Sequence, residues 1–285
     1  MVNIVFFGSS QYSIIILKKL LEISDSKVSA VITKVDKPIG RNQQITPNPV
    51  AAFALKNKLN LIQIEEFDKN LRSKIYDLRP DLGLCVAFGP PYFDQAMIDI
   101  FKYKIVNIHP SPLPKYRGAT PGPWQIINGE TKSAVTFFQI DVLPDHGPII
   151  SQIPFEIPPI ETSTSFYQKA FNLAADNLET VLKTYISNPT SIIPQDHSQK
   201  TYFPKFNKDT AQIDWSWNPD KISRFVRALQ PWPIAWTYVT DQQNKTLKMK
   251  IFSFEEKSSK PIKVQIEGKN ITNWSEISKY YKIKN

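Results

Sequence analysis

The sequence holds one cysteine and three histidines in 285 residues, and no apolar run approaches the roughly 20 residues a bilayer-spanning helix needs. One cysteine rules out an internal disulfide. Cys85 lies in the run Leu82-Gly-Leu-Cys-Val-Ala, so it reads as a small buried hydrophobe of a protein kept in a reducing compartment. His109, His146 and His197 are too scattered, and too short of thiol partners, to build a zinc cluster, and no metal is expected. Gly8-Ser-Ser-Gln-Tyr-Ser follows an apolar run but is not Gly-x-Gly-x-x-Gly, which argues against a nicotinamide-dependent oxidoreductase. A Gly-Lys-Ser/Thr phosphate loop and a Gly-x-Ser-x-Gly elbow are missing too. The opening Met1-Val-Asn-Ile-Val-Phe-Phe-Gly lacks the basic flank of a secretory leader and reads as a strand. A cytoplasmic protein without membrane contact is expected.

What the chain does carry is positive charge, unevenly placed. Hydrophobic residues are 41% and charged residues 21%, ordinary for a globular protein, with a net charge of +9. Residues 206–285 hold 14 Lys/Arg against 8 Asp/Glu, a net of +6, which leaves +3 for the first 205. A basic C-terminal module suits a polyanionic partner, because contacts to phosphates release condensed counterions. A lysine- and asparagine-rich composition gives the same excess without any partner.

The first half alternates strand-like and helix-like patterns. Apolar runs at Val2–Phe7, Val28–Thr33, Leu82–Ala87, Lys104–His109 and Ala134–Ile140 read as strands, the continuous ones as strands covered on both faces. Ser10–Ile23 carries Ile14, Leu17, Leu20 and Leu21 at helical spacing, and Asn48-Pro49 opens a helix with a cap followed by proline. Ser163–Ile186 reads as a long helix. The alternation predicts a doubly wound, mostly parallel α/β sheet over 1–187. Residues 188–205, rich in Pro, Ser and Asn, read as a linker. Beyond it, a helix at Pro219–Leu229 and strands at Ala235–Val239, Leu247–Phe254 and Ile262–Gln265 predict a small β-barrel-like domain over 206–285. The polar stretch from Thr33 to Pro47 is long for a plain connection, as functional loops are.

The chemistry concentrates in Val106-Asn-Ile-His-Pro-Ser-Pro-Leu-Pro-Lys-Tyr-Arg-Gly-Ala. Asn107 and His109, two apart on a strand, project from one face at its C-terminal end, where open α/β sheets place ligands. An amide donor and an imidazole side by side suit a carbonyl that becomes an oxyanion. An isolated Asn-x-His is as well explained by a capped turn and a locally bonded histidine. A second group, Asp141-Val-Leu-Pro-Asp-His-Gly, follows the strand Ala134–Ile140 and brings Asp145 to the same end, able to orient an imidazole or take a proton from an amine.

Taken together, Asn107-Ile-His109-Pro-Ser-Pro-Leu-Pro-Lys-Tyr-Arg-Gly-Ala and Asp145-His-Gly resemble the active-site signature of the 10-formyltetrahydrofolate-dependent formyltransferases. The resemblance implies Asn107, His109 and Asp145 as the catalytic trio and 10-formyltetrahydrofolate as co-substrate, with no metal. It implies a folate pocket from Val86, Phe88, Gly89, Tyr92, Ser111, Leu113, Ile140 and Asp141. The segment Asp36-Lys-Pro-Ile-Gly-Arg41 through Thr46-Pro-Asn-Pro-Val resembles the loop by which the tRNA-directed branch enters an acceptor stem. Ala211-Gln-Ile-Asp-Trp-Ser through Pro231-Trp-Pro resembles the start of that branch's C-terminal tRNA-binding domain. Initiator methionyl-tRNA is the partner so implied, with contacts expected at Lys37, Arg41, Arg117, Arg224 and Arg227, and a monomer is expected. Lys248 and Lys250, on one strand face by period-2 alternation, read as further phosphate contacts or as a plain solvated face. The chain departs from the family at Asn42-Gln43-Gln44, where lysines are usual, at Pro90-Pro91, at His146 in place of threonine, and in a shortened C-terminal domain.

Three other readings share part of this pattern: a formyltransferase for another amine, a formate-releasing hydrolase, and a non-catalytic RNA-binding protein on the same scaffold. Trp215, Trp217, Trp232 and Trp236 are read as core of the small domain rather than as base-stacking surfaces.

Overall fold

A computed structural model describes residues 1–39 and 44–284. The elements in chain order are β1 (Val2–Gly8), α1 (Gln11–Glu22), β2 (Ser26–Lys34), β3 (Lys37–Ile39), β4 (Gln44–Thr46), α2 (Pro49–Lys56), β5 (Leu61–Ile64) and α3 (Lys69–Asp77). There follow β6 (Leu82–Val86), α4 (Gln95–Ile98), β7 (Ile105–His109), α5 (Pro121–Ile127), β8 (Lys132–Gln139), β9 (Ile149–Glu156) and α6 (Ser163–Ser187). A short 3-10 turn, His197–Gln199, precedes α7 (Pro219–Ala228), β10 (Trp236–Asp241), β11 (Thr246–Glu255), β12 (Lys260–Ile266), β13 (Ile271–Asn273), α8 (Trp274–Ile277) and β14 (Tyr281–Lys284).

The chain forms two compact units: residues 1–117, 134–155 and 168–202, and residues 118–133, 156–167 and 203–285. In the first, a seven-stranded sheet runs β5-β2-β1-β6-β7-β8-β9. The strands from β5 to β7 are parallel, and β8 pairs antiparallel with β7. This is the doubly wound sheet the alternation predicts, with an antiparallel extension. Every residue of β6 is buried, as the unbroken apolar run requires of a strand covered on both faces. Below the C-terminal ends, Phe7 packs edge-on against Phe67, Phe88, Phe93 and Phe101 at centroid distances of 5.0–6.3 Å. Such geometry contributes beyond plain area burial.

Local chemistry explains the helix starts. Asn48 caps α2 through its side-chain oxygen, which accepts from Val50 and Ala51 N–H, while Pro49 fills the first turn where no donor is needed. The Asn48 side-chain nitrogen donates to the Lys34 carbonyl, and Asp36 accepts from the Asn48 backbone, so the cap also ties the ends of the 33–47 segment together. That segment is more than a loop: β3 and β4 pair antiparallel, Lys37 opposite Thr46. Gly40, Arg41, Asn42 and Gln43 lie outside the described residues.

The second unit has an antiparallel five-stranded sheet, β13-β12-β11-β10-β14. Helix α7, capped by Asn218 and opened by Pro219, buries Ile222, Phe225, Val226 and Ala228. Trp215 donates from its indole N–H to Thr237 at 2.9 Å, Trp217 lies edge-on to Phe225, and Trp236 is buried with its N–H on the Lys208 carbonyl. Trp236 is thus buried, and Trp215 and Trp217 are half-buried against the unit. Trp232 differs: it is 54% exposed, in the Pro231-Trp-Pro turn that holds its indole outside the sheet.

Candidate active site

Asn107 and His109 stand on β7 between β6 and β8, where Asn107 is opposite Cys85 on one side and Phe138 on the other. The strand fixes both backbones and the two-residue repeat puts both side chains on one face. The His109 Nε2 lies 2.9 Å from the Tyr116 carbonyl. A carbonyl only accepts, so Nε2 carries the proton and the other nitrogen faces Asp145, with Nδ1 3.7 Å from its Oδ1. His109 is buried. Among the described residues the Asn107 side-chain amide makes no hydrogen bond with the chain, which leaves its N–H free for a bound carbonyl.

Asp145 arrives from the 140–148 turn with a left-handed backbone, φ 52°. Gly147 beside it has no room for a side chain, because an added Cβ would stand 1.8 Å from the Gln139 carbonyl oxygen. The Gln139 N–H donates to the Pro148 carbonyl at 2.9 Å and holds that approach closed. The Asp141 carboxylate takes a 2.5 Å contact from His146 Nδ1.

One wall is the turn 86–92. The Ser13 hydroxyl donates to the Val86 carbonyl at 2.7 Å and that of Ser9 to the Ala87 and Phe88 carbonyls, so the start of α1 clamps the turn. Ala87 (φ 45°) and Gly89 (φ 71°) are both left-handed, and Gly89 has open space where a Cβ would stand. Phe88 is buried and Tyr92 is 61% exposed. Lys34 reaches over β1 to this turn: its ammonium lies 3.9 Å from the centroid of the Phe88 ring and donates to the Pro90 carbonyl. Desolvation by burial brings its pKa down to about 8, Cys85 opposing and Lys37 adding to the drop.

Burial likewise pushes the Cys85 thiol up to about 12, with the negative charge of Asp145 adding to it and Lys34 opposing. The thiolate is the reactive form, so Cys85 is expected to resist a thiol-exchange reagent at pH 8 in the folded protein and to react at once in denaturant. Rapid labelling of the native chain would show that the β6 end is open to solvent.

The placement of the other sequence-derived residues varies. Ser111 and Leu113 are buried, and the Ser111 hydroxyl is spent on the Lys115 carbonyl at 2.8 Å. Ile140 and Asp141 are half-buried at the start of the Asp145 turn, and Lys37 is exposed on β3. Arg117 is 5% exposed and donates to Gln195 and His197. Arg224 donates to the Ile127 carbonyl and to Asp220, and Arg227 to the Pro159 carbonyl and Ser223. Lys248 lies 3.5 Å from the Trp236 ring centroid on the outer sheet face, and Lys250 on the same face is exposed. Sequence reasoning gave no role to Gln195, His197 or Tyr202. They lie in the stretch read as a linker, which pairs with β9 through Ile193 and with Arg117 through Tyr202. Composition carries no signal for this, because a polar segment bonded to a surface looks like one that is free.

An amide donor on β7, an imidazole bearing its proton on the far nitrogen and a carboxylate lie at the strand ends, with the buried Cys85 thiol on the neighbouring strand opposite Asn107. Residues 2–182 match the model of the formyl transferase family, and residues 205–275 that of the formyl transferase C-terminal domain. The chain belongs to the formyl transferase family and is an enzyme of that class. It is 34% identical over 254 residues to methionyl-tRNA formyltransferase of Alkaliphilus oremlandii, spanning 89% of this chain and 81% of that one. Among solved structures it is similar to methionyl-tRNA formyltransferase from Clostridium thermocellum (TM-score 0.60, 15% identity, 96% of this chain and 100% of that one). It is also similar to an N-formyltransferase from Helicobacter canadensis in complex with folinic acid and dTDP-3-aminofucose (TM-score 0.59, 22% identity, 80% of each chain). Among the described residues no helix is long and apolar enough to cross a membrane.

Proposed function

We propose that the chain transfers the formyl group of 10-formyltetrahydrofolate to the α-amine of methionyl initiator tRNA, with Asn107, His109 and Asp145 as catalytic residues. The observation that carries this reading is the Asn107 amide, unengaged among the described residues, one strand step from the His109–Asp145 pair. The amine attacks the formyl carbon, and the carbonyl oxygen gains negative charge as the new C–N bond forms. The Asn107 N–H donates to that oxygen, where a preorganised donor contributes most. The proton shed by the amine passes to the His109–Asp145 pair, at His109 Nδ1 or the Asp145 carboxylate. As the C=O double bond re-forms, the bond to N10 of the folate breaks, N10 takes up a proton from the same pair, and tetrahydrofolate leaves.

The folate is assigned to the turn Val86, Phe88, Gly89 and Tyr92 together with Ile140, Asp141, Ser111 and Leu113. The open space over Gly89 and the aromatic floor at Phe88 suit a flat ring. Lys37, Lys248 and Lys250 are the exposed or outer-face cations assigned to tRNA phosphates. The tRNA acceptor is supported by the relatives' names and by the excess positive charge of residues 206–285.

An amino-sugar nucleotide is the competing acceptor, since the Helicobacter canadensis enzyme shares the fold. The deciding assay offers labelled 10-formyltetrahydrofolate with methionyl initiator tRNA, a dTDP-amino sugar or glycinamide ribonucleotide. Label on the tRNA alone is expected. Label on either small amine alone would overturn the acceptor while keeping the transferase, and formate release without any labelled amine would overturn the transfer itself.

A further inference from the structure

The turn that carries Asp145 is held from outside by groups that the transfer chemistry does not use. Gln195 is 5% exposed, and its Nε2 donates to the Asp145 carbonyl at 3.0 Å and the Gly147 carbonyl at 2.7 Å. Its Oε1 accepts from Arg117 Nη2 at 2.6 Å, and the same guanidinium nitrogen lies 2.8 Å from His197 Nδ1. The His197 ring stacks on that of His146, with centroids 4.0 Å apart and planes 12° from parallel. His146 closes the circuit on Asp141. Both ends of the 141–147 turn are thereby fastened to one buried arginine.

Donor logic fixes the state of this circuit. A guanidinium only donates, so His197 Nδ1 must accept, and His197 is neutral with its proton on Nε2. A second proton on His197 would set two donors face to face. We propose that Arg117 and His197 are positioning residues, neutral His197 holding the Arg117 guanidinium on Gln195 so that the Asp145 turn keeps its carboxylate on His109. Protonation of His197 then releases the turn, and transfer acquires an acid limb set by a group that never touches substrate. The inference rests on the proposed transferase reading.

Most of the groups around His197 act in one direction. Burial under the neighbouring ring, then the charges of His146, Arg117 and Lys200, hold its pKa below the ordinary histidine value, and Asp141 opposes them. Asp196, next in the chain, is occupied in accepting from Ser198 and Gln199. A histidine whose folded pKa is lowered is neutral at pH 7, so the brace is complete there and fails as pH falls through the lowered value.

The test compares wild type, His197→Asn and His197→Phe in kcat and KM from pH 5.5 to 9, with amide-exchange protection of residues 143–147 over the same range. Asparagine keeps an acceptor for Arg117 and does not titrate; phenylalanine keeps the stacked ring and removes the acceptor. His197→Asn is expected to retain most of the turnover at pH 7.5, with its acid limb displaced to lower pH. His197→Phe is expected to lose turnover by ~10-fold with folate KM unchanged, the loss that a slightly misplaced base produces. Coincident acid limbs in wild type and His197→Asn, or wild-type turnover in His197→Phe, would overturn the proposal. Failure of the transferase reading shows separately, as a wild type that formylates no tRNA. In that event the exchange data still decide: protection that falls with acid in wild type but not in His197→Asn supports the brace, and identical profiles overturn it.

Discussion

Replacing Asn107 by alanine is expected to lower kcat by roughly 10²–10³-fold, the usual cost of one lost oxyanion donor. Folate KM should change little, because the donor acts on charge that develops only during reaction. The same truncation should leave stability nearly unchanged. The Asn107 amide has no partner within the described chain, so its removal strands no buried donor or acceptor. Steady-state kinetics at saturating tRNA, beside a thermal melt, separates the two effects. Turnover within a factor of three of wild type would remove Asn107 from the mechanism.

Gly147→Ala tests the turn instead of the donor, and a large effect on both axes is expected. The added methyl would meet a backbone oxygen at 1.8 Å, and no rotamer relieves a Cβ clash. The hydrogen bond from Gln139 to Pro148 prevents the two segments from parting. Relief then requires the 140–148 turn to shift, costing roughly 2–3 kcal/mol as overpacking does. The shift also withdraws Asp145 from His109, and displacements on the order of 1 Å lower turnover by about 10²-fold. Gly89→Ala is the control: its Cβ would meet nothing within 4 Å, and only the left-handed backbone opposes it. Its cost should stay near 1–2 kcal/mol. Equal melting temperatures for Gly147→Ala and wild type would show that the turn yields freely.

Much of the sheet was legible in the sequence because its strands are buried on both faces and read as unbroken apolar runs. Leu82–Val86 and Ile105–His109 were visible for this reason, and Asn48-Pro49 and Asn218-Pro219 announced their helices through cap chemistry. Edge elements were not legible. β9, Ile149–Glu156, alternates half-buried and exposed residues and contains a proline, so neither period stands out. β13, β14 and the paired segments β3 and β4 are three or four residues long, too short for any period to show. At the site, Asn107, His109 and Asp145 were singled out because motif and strand end coincide, and the structure brings His109 and Asp145 within 3.7 Å. Lys34 was passed over because one lysine at the end of a strand carries no pattern; only the fold shows its ammonium on Phe88. Arg117 was noticed, but its charge suggested an outward phosphate contact, and its inward bonds to Gln195 and His197 depend on chain some 80 residues away.

That separation has a consequence for how the site comes into being. Gln195 bonds the Asp145 carbonyl across 50 residues of sequence and Arg117 across 78. A chain emerging from the ribosome can form every strand of the large sheet, and present Asn107, His109 and Asp145, before the segment that fastens the Asp145 turn has been made. Completion of the sheet and completion of the site therefore depend on stretches of chain made at different times in synthesis.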